Sequence, residues 1–162
     1  MLKLTLLEFF FRGLPEELLL IFAIYAFSKT VINIKRYIAS SILLVLLVYS
    51  IRFLPIQYGV HTILNLIVTI VLTVSINKID IIKAIQASII TVIIEFICEG
   101  INVFIIGHIF KVDVRYVLSE PSLKILYGIP SLLIFAAIVS IYYFVLFRKK
   151  DLKEVTNGEI SK

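Results

Sequence analysis

The sequence predicts an all-α fold, an integral membrane bundle of about five transmembrane helices, and three observations carry that prediction. Of the 162 residues, 60% are hydrophobic and 17% charged, whereas soluble domains run nearer half apolar and a quarter charged; mean hydropathy is +1.07. The apolar residues lie in long uncharged runs, as a helix crossing the hydrocarbon core requires, at ~20 residues per crossing. The runs are continuous rather than alternating, which selects helices over a closed barrel, the other structure that satisfies the backbone in lipid.

The elements follow in order. Leu2 to Phe11 carries Lys3 and Glu8 with no small-residue cleavage site after it, so it is expected to be retained, lying on or dipping into the membrane, and is not a signal peptide. A first, short span is expected over 15–28. Pro15 sits in its first turn, where a missing N–H costs nothing, and Glu16 and Glu17 complement the helix dipole. The alternative is one long helix from Leu4 to Phe27, kinked at Pro15. Lys29, Lys35 and Arg36 form a basic loop before span two, 37–53, which closes on Arg52 with Pro55 and Gly59 in a short turn. Span three covers 60–76. Lys78, Asp80 and Lys83 precede span four, 81–109, which is unusually long and holds Glu95 and Glu99. A mixed-charge segment leads to span five, 126–147, with Pro130 in its first turns. Residues 148–162 read as a polar cytoplasmic tail.

Net charge is +5, but the basic residues lie between apolar runs and after the last one, so they point to topology and exclude a nucleic-acid partner. Five spans place ten Lys and Arg on the C-terminal side and six on the other, so the N-terminus is expected outside and the C-terminus in the cytoplasm. The one cysteine, Cys98, excludes an internal disulfide framework and reads as a buried small hydrophobe. Trp is absent, leaving Tyr and Phe, Tyr142 and Tyr143 among them, for an interfacial belt.

The main functional signal is a polar stripe in span four. Ser88, Thr91, Glu95, Glu99 and Asn102 recur at helical spacing and share one face. A carboxylate in lipid costs ~2.5–3.5 kcal/mol on insertion scales, so these groups are expected to face the bundle interior or a wet cavity. Their bland alternative is structural, as paired groups holding helices together. Span three offers a second stripe, His61, Asn65, Thr69 and Thr73. An outward-leaning cluster of Arg52, Gln57, His61, Asn65, Glu95, Glu99 and Asn102 is therefore the expected ligand-binding site, enclosed by spans two to four, with Arg52 pairing Glu95 or Glu99. Such contacts also serve as plain packing glue, worth under ~1 kcal/mol each. His108 lies half a turn off the stripe, which argues against a metal site with His61, Glu95 and Glu99. No glycine-rich phosphate loop, GxSxG or HExxH occurs, so neither an enzyme nor a cofactor is expected.

The stretch Arg52-Phe-Leu-Pro-Ile-Gln-Tyr-Gly-Val-His-Thr-Ile63, with Pro15-Glu16 opening the first helix and Tyr127-Gly128-Ile129-Pro130 opening the last, resembles the membrane-embedded sensor domain of Firmicute GHKL-type histidine kinases, the accessory-gene-regulator-like receptors. The resemblance covers roughly residues 10 to 147. It implies binding of an extracellular peptide or small-molecule signal, or pairing with a separate membrane or cytoplasmic protein. The sequence ends 15 residues after Phe147, so the expectation is a sensor domain standing alone, without phosphotransfer. The competing expectation is a small transporter, or its substrate-binding subunit, using the intramembrane carboxylates.

Overall fold

A computed structural model describes residues 9–52, 58–112, 117, 121–156 and 159–160. Among these the fold is an all-α bundle of five α-helices: α1 (Leu14–Phe27), α2 (Ile34–Arg52), α3 (Tyr58–Ser75), α4 (Ile81–Phe104) and α5 (Pro121–Arg148). Three stretches are long and apolar enough to cross a membrane, Ile34–Ile51, Ile81–Ile109 and Ile125–Arg148, and Gly59–Ser75 is an apolar helix too short to count with them. α1, at 14 residues, rises only ~21 Å against a hydrocarbon core of ~30 Å.

The first span, expected over 15–28, is α1, and residues 2–8, on which the choice between a surface segment and one long kinked helix turns, lie outside the described residues. A π-helical turn, Phe9–Gly13, runs straight into α1. Pro15 lacks the N–H that would bond the carbonyl of Phe11 in an α turn, and the wider π turn falls where that bond is missing. A second π turn, Ile105–Ile109, extends α4 to the end expected for span four. α5 starts earlier than expected, so Pro130 falls inside the helix, where it removes the bond to the carbonyl of Leu126.

Helix ends are set locally. Asn33 caps α2 through Arg36 N–H to Oδ1, 3.3 Å. Asp80 caps α4 by accepting from Ile82 N–H at 3.0 Å and Lys83 N–H at 3.4 Å. Four ends close on a lysine in the left-handed region, Lys29 (φ 55°), Lys78 (59°), Lys111 (53°) and Lys150 (54°). A non-glycine residue there costs ~1–2 kcal/mol, partly offset by a positive charge at the negative end of the helix dipole.

α1 is the hub of the bundle. It packs on α2, α4 and α5 and touches α3, while α2–α3, α3–α4 and α4–α5 are neighbours in sequence order around it. Ile21, Ala23, Ile24, Tyr25 and Ala26 are at most 1% exposed, as expected of a helix apolar all round. One core cluster joins Ile21, Ile24 and Tyr25 to Leu44, Val48, Leu72 and Ala84. The other joins Ala23 and Ala26 to Cys98, Phe135 and Val139, so Cys98 is a core residue. The longer helices turn Ile, Leu and Phe outward, as Ile34, Ile38, Ile42 and Leu46 do at helical spacing along α2, and apolar surface this extensive suits lipid rather than water.

The tail does not leave the bundle at Arg148. Thr30 and Lys153 form a parallel bridge, with Val31 N–H donating to the Lys153 carbonyl at 3.0 Å and Lys153 N–H to the Lys29 carbonyl at 2.9 Å. Lys29 Nζ reaches Asp151 Oδ2 at 2.7 Å. Beyond it, Val155–Thr156 and Glu159–Ile160 pair as a two-residue antiparallel ladder. Tyr142 and Tyr143, expected in an interfacial belt, pack on Phe27 and Phe22 of α1, and the Tyr143 hydroxyl accepts from Ile32 N–H at 3.3 Å.

Candidate functional site

The polar residues of three helices converge at the end of the bundle opposite the tail. A cavity of about 170 Å³ lies between α1, α3 and α4, lined by Glu16, Glu17, Asn65, Thr69, Ser88 and Glu95, with Thr62 and Glu99 also on its wall. The helical periods put them there. Ser88, Glu95 and Glu99 share a face of α4, Thr62, Asn65 and Thr69 share a face of α3, and the first turn of α1 presents Glu16 and Glu17 to both.

A second, tighter cavity of about 20 Å³ adjoins the first through Glu16, Glu95 and Glu99 and is closed by Arg12, Cys98, Gly128 and Ser131. In it the Arg12 guanidinium donates from Nη2 to Glu99 Oε1 at 3.1 Å and lies 3.8 Å from Glu16 Oε2. Gly128 makes room for it: a Cβ there would meet the guanidinium at 3.2 Å. Glu16 and Glu95 line both cavities. Among the described residues, three carboxyl groups, those of Glu16, Glu95 and Glu99, thus share the tighter cavity with one guanidinium.

The expected site is partly reassembled. Asn65, Glu95 and Glu99 border one cavity, as their stripes require. His61 sits on the same face of α3 with Nδ1 buried and unpartnered, but is not part of the cavity wall. Asn102 turns away from the cavity, because its Nδ2 donates to the Tyr127 carbonyl of α5 at 2.7 Å. The side chains of Arg52 and Gln57 lie outside the described residues, as do Pro55 and the core of the sensor-like stretch around it. Among the described residues, Arg12 supplies a cation to Glu99. The third wall is α1, whereas the sequence pointed to the second span. Arg12, Glu16 and Glu17 were legible as an i,i+4 pair and two neighbouring acids, but acids in a first turn are equally explained by the dipole.

His108 stacks on Phe104 with ring centroids 4.3 Å apart, outside the cavity. Among the described residues no group of three His, Cys, Asp or Glu side chains converges as a metal site would. Comparison with protein-family models, curated proteins and solved structures finds no match to this chain.

Proposed function

We propose that the protein is a non-enzymatic multi-pass membrane sensor that takes a small signal molecule into the α1–α3–α4 cavity and reports its occupancy at the other end of the bundle. The observation that carries the reading is the position of α1. Its first turn supplies Glu16 and Glu17 to the cavity, and the residues just past its last turn hold the C-terminal segment through Lys29, Thr30 and Val31. A ligand shifts an equilibrium only by binding two arrangements differently. Here a ligand that moves the first turn of α1 moves a rigid helix whose far end carries the tail clasp. The resemblance to sensor-kinase membrane domains supports the same reading. The excess of Lys and Arg at the tail end orients that end to the cytoplasm and the cavity outward, with a separate membrane or cytoplasmic protein as receiver of the signal.

The test needs no identified ligand. In a Cys98→Ala background, the pair Lys29→Cys and Asp151→Cys reports the clasp by its rate of disulfide formation. Glu95→Gln and Glu99→Gln are each expected to change that rate about fivefold or more, the lower range of coupling between distant sites, while membrane insertion stays normal. A rate unchanged in both variants sinks the relay. Transport is the second reading, favoured by Glu16 and Glu95 lining both cavities together, because ionisable groups within spans serve as proton relays. Solute uptake lost in Glu95→Gln, with the clasp rate unmoved, would select it.

A further inference from the structure

We infer that the clasp end of the bundle docks on anionic phospholipid headgroups, with Lys149, Lys150 and Lys153 as the rim that meets their phosphates. This goes beyond the signalling reading and does not depend on what the cavity binds. Residues 29–36 and 148–154 carry seven basic side chains and two acidic ones, Asp151 and Glu154. The fold brings the two stretches together. Val31 N–H donates to the Lys153 carbonyl at 3.0 Å, and the Tyr143 hydroxyl of α5 takes the Ile32 N–H just before α2. Lys29 pairs with Asp151 at 2.7 Å. Lys29 first, and then the charges of Lys153 and Lys149, hold that carboxyl below its ordinary value. Of the seven basic side chains, Lys29 is the one in an ion pair among the described residues, and Lys149, Lys150 and Lys153 are exposed. One carboxylate cannot neutralise three ammonium groups, so the rim keeps a surplus of positive charge.

Charge alone would suit any anion, and the surface beside it narrows the choice. Ile34 and Ile38 of α2 are 69% and 47% exposed, and Phe144 and Phe147 of α5 are 58% and 66% exposed. They occupy the turns next to the basic stretches, so charge and bare apolar surface share one border. Arg148 lies on that border, its guanidinium 5.6 Å from the centroid of the Phe144 ring. A long cationic side chain takes such a position when its stem covers apolar surface and its head reaches the polar layer. An anionic phospholipid has the same two parts in the same order. Its acyl chains cover Ile34 and Phe147, and its phosphate meets the ammonium groups, which anionic headgroups attract within a screening length. A phosphate ion in solution would leave the apolar surface bare. An acidic protein segment would match the charge and leave that surface unused. A zwitterionic choline lipid would cover it and bring a second cation to a rim already rich in them.

The full-length protein is released from nanodiscs of equimolar dioleoyl-phosphatidylglycerol and dioleoyl-phosphatidylcholine, and the lipids that stay bound are identified by native mass spectrometry. Phosphatidylglycerol is expected to be retained over phosphatidylcholine about tenfold. Lys149→Gln, Lys150→Gln and Lys153→Gln together should cut that preference to about twofold or less. Lys111→Gln, beyond the other end of α4, should leave it unchanged. In the unsubstituted protein the preference should also shrink as ionic strength rises, a measurement that does not depend on how the variant folds. Equal retention of the two lipids, a preference indifferent to salt, or the same loss from Lys111→Gln as from the triple substitution overturns the assignment. So does release of the retained phosphatidylglycerol by equimolar deca-glutamate, which would give the rim to an acidic protein, or by glycerol phosphate, which would make it a site for soluble phosphate.

Discussion

Gly128 lacks a side chain at the one place where a Cβ would press the Arg12 guanidinium, 3.2 Å away. The contact is ionic as well as steric, because the same guanidinium holds Glu99. Alanine is tolerated if the arginine yields by a few tenths of an ångström. Valine adds two methyl groups to a filled space, and overpacking of this kind costs about 1–3 kcal/mol. Gly128→Val is therefore expected to lower the melting temperature of the purified protein, and Gly128→Ala to lower it less. In an Arg12→Ala background the valine should be nearly neutral, because neighbours that share a space are non-additive. Equal losses in both backgrounds would show that Gly128 answers to something other than Arg12. At this scale the sequence was half legible. Glu95 and Glu99 declared themselves as carboxylates in an apolar helix. Glu16 and Glu17 did not, because the first turn of any helix welcomes acids, and only packing turned Glu17 inward to 6% exposure.

At the scale of elements, the tail clasp ties α5 to the turn after α1 and brings its own pH dependence. The hydrogen bond from Lys29, and then its charge, pulls the Asp151 carboxyl below its ordinary 3.8, and the same contact raises the Lys29 ammonium above 10.5. A depressed carboxyl contributes stability above its ordinary value and loses it as pH falls through the folded one. A raised ammonium contributes below its ordinary value and loses it as pH rises through the folded one. The clasp is therefore held through the neutral range and released at both extremes. Hydrogen-exchange protection factors at the Val31 and Lys153 amides, which make the bridge, should be flat near neutrality and fall below pH 3.8. Asp151→Asn should lower them at every pH between. Because the pair is exposed and salt-screened, the change should be modest and weaker at high ionic strength. Protection that ignores both pH and Asp151→Asn would assign the bridge to the backbone alone.

For the whole molecule, the basic end and the carboxylate end are opposite poles of one bundle. Lys29 and Lys153 meet at the first, and Arg12, Glu99 and Gly128 at the second. We propose that the excess of basic residues at the tail end places that end in the cytoplasm. Single cysteines replacing Lys78 and Lys149, in a Cys98→Ala background, should react with an impermeant thiol reagent only when the cytoplasmic face is open to it. A cysteine replacing Lys111 should react from outside. Labelling of positions 78 and 149 from outside would invert the molecule and turn the cavity inward.

The helical class was in the sequence because hydropathy is additive: continuous apolar runs leave the backbone no partner in lipid except its own turns. The inward turn of Ser88, Glu95 and Glu99 was there too, because a 3.6-residue period fixes which residues share a face. What the sequence could not fix was which helix stands opposite that face. The short first span was left outside the expected site, which spans two to four were to enclose. Packing made it the centre, since a helix apolar on all sides is best buried by all its neighbours. That placement, a matter of contacts between residues distant in the chain, brought Arg12 onto Glu99. It also turned Asn102 to α5 and built the third wall of the cavity from α1.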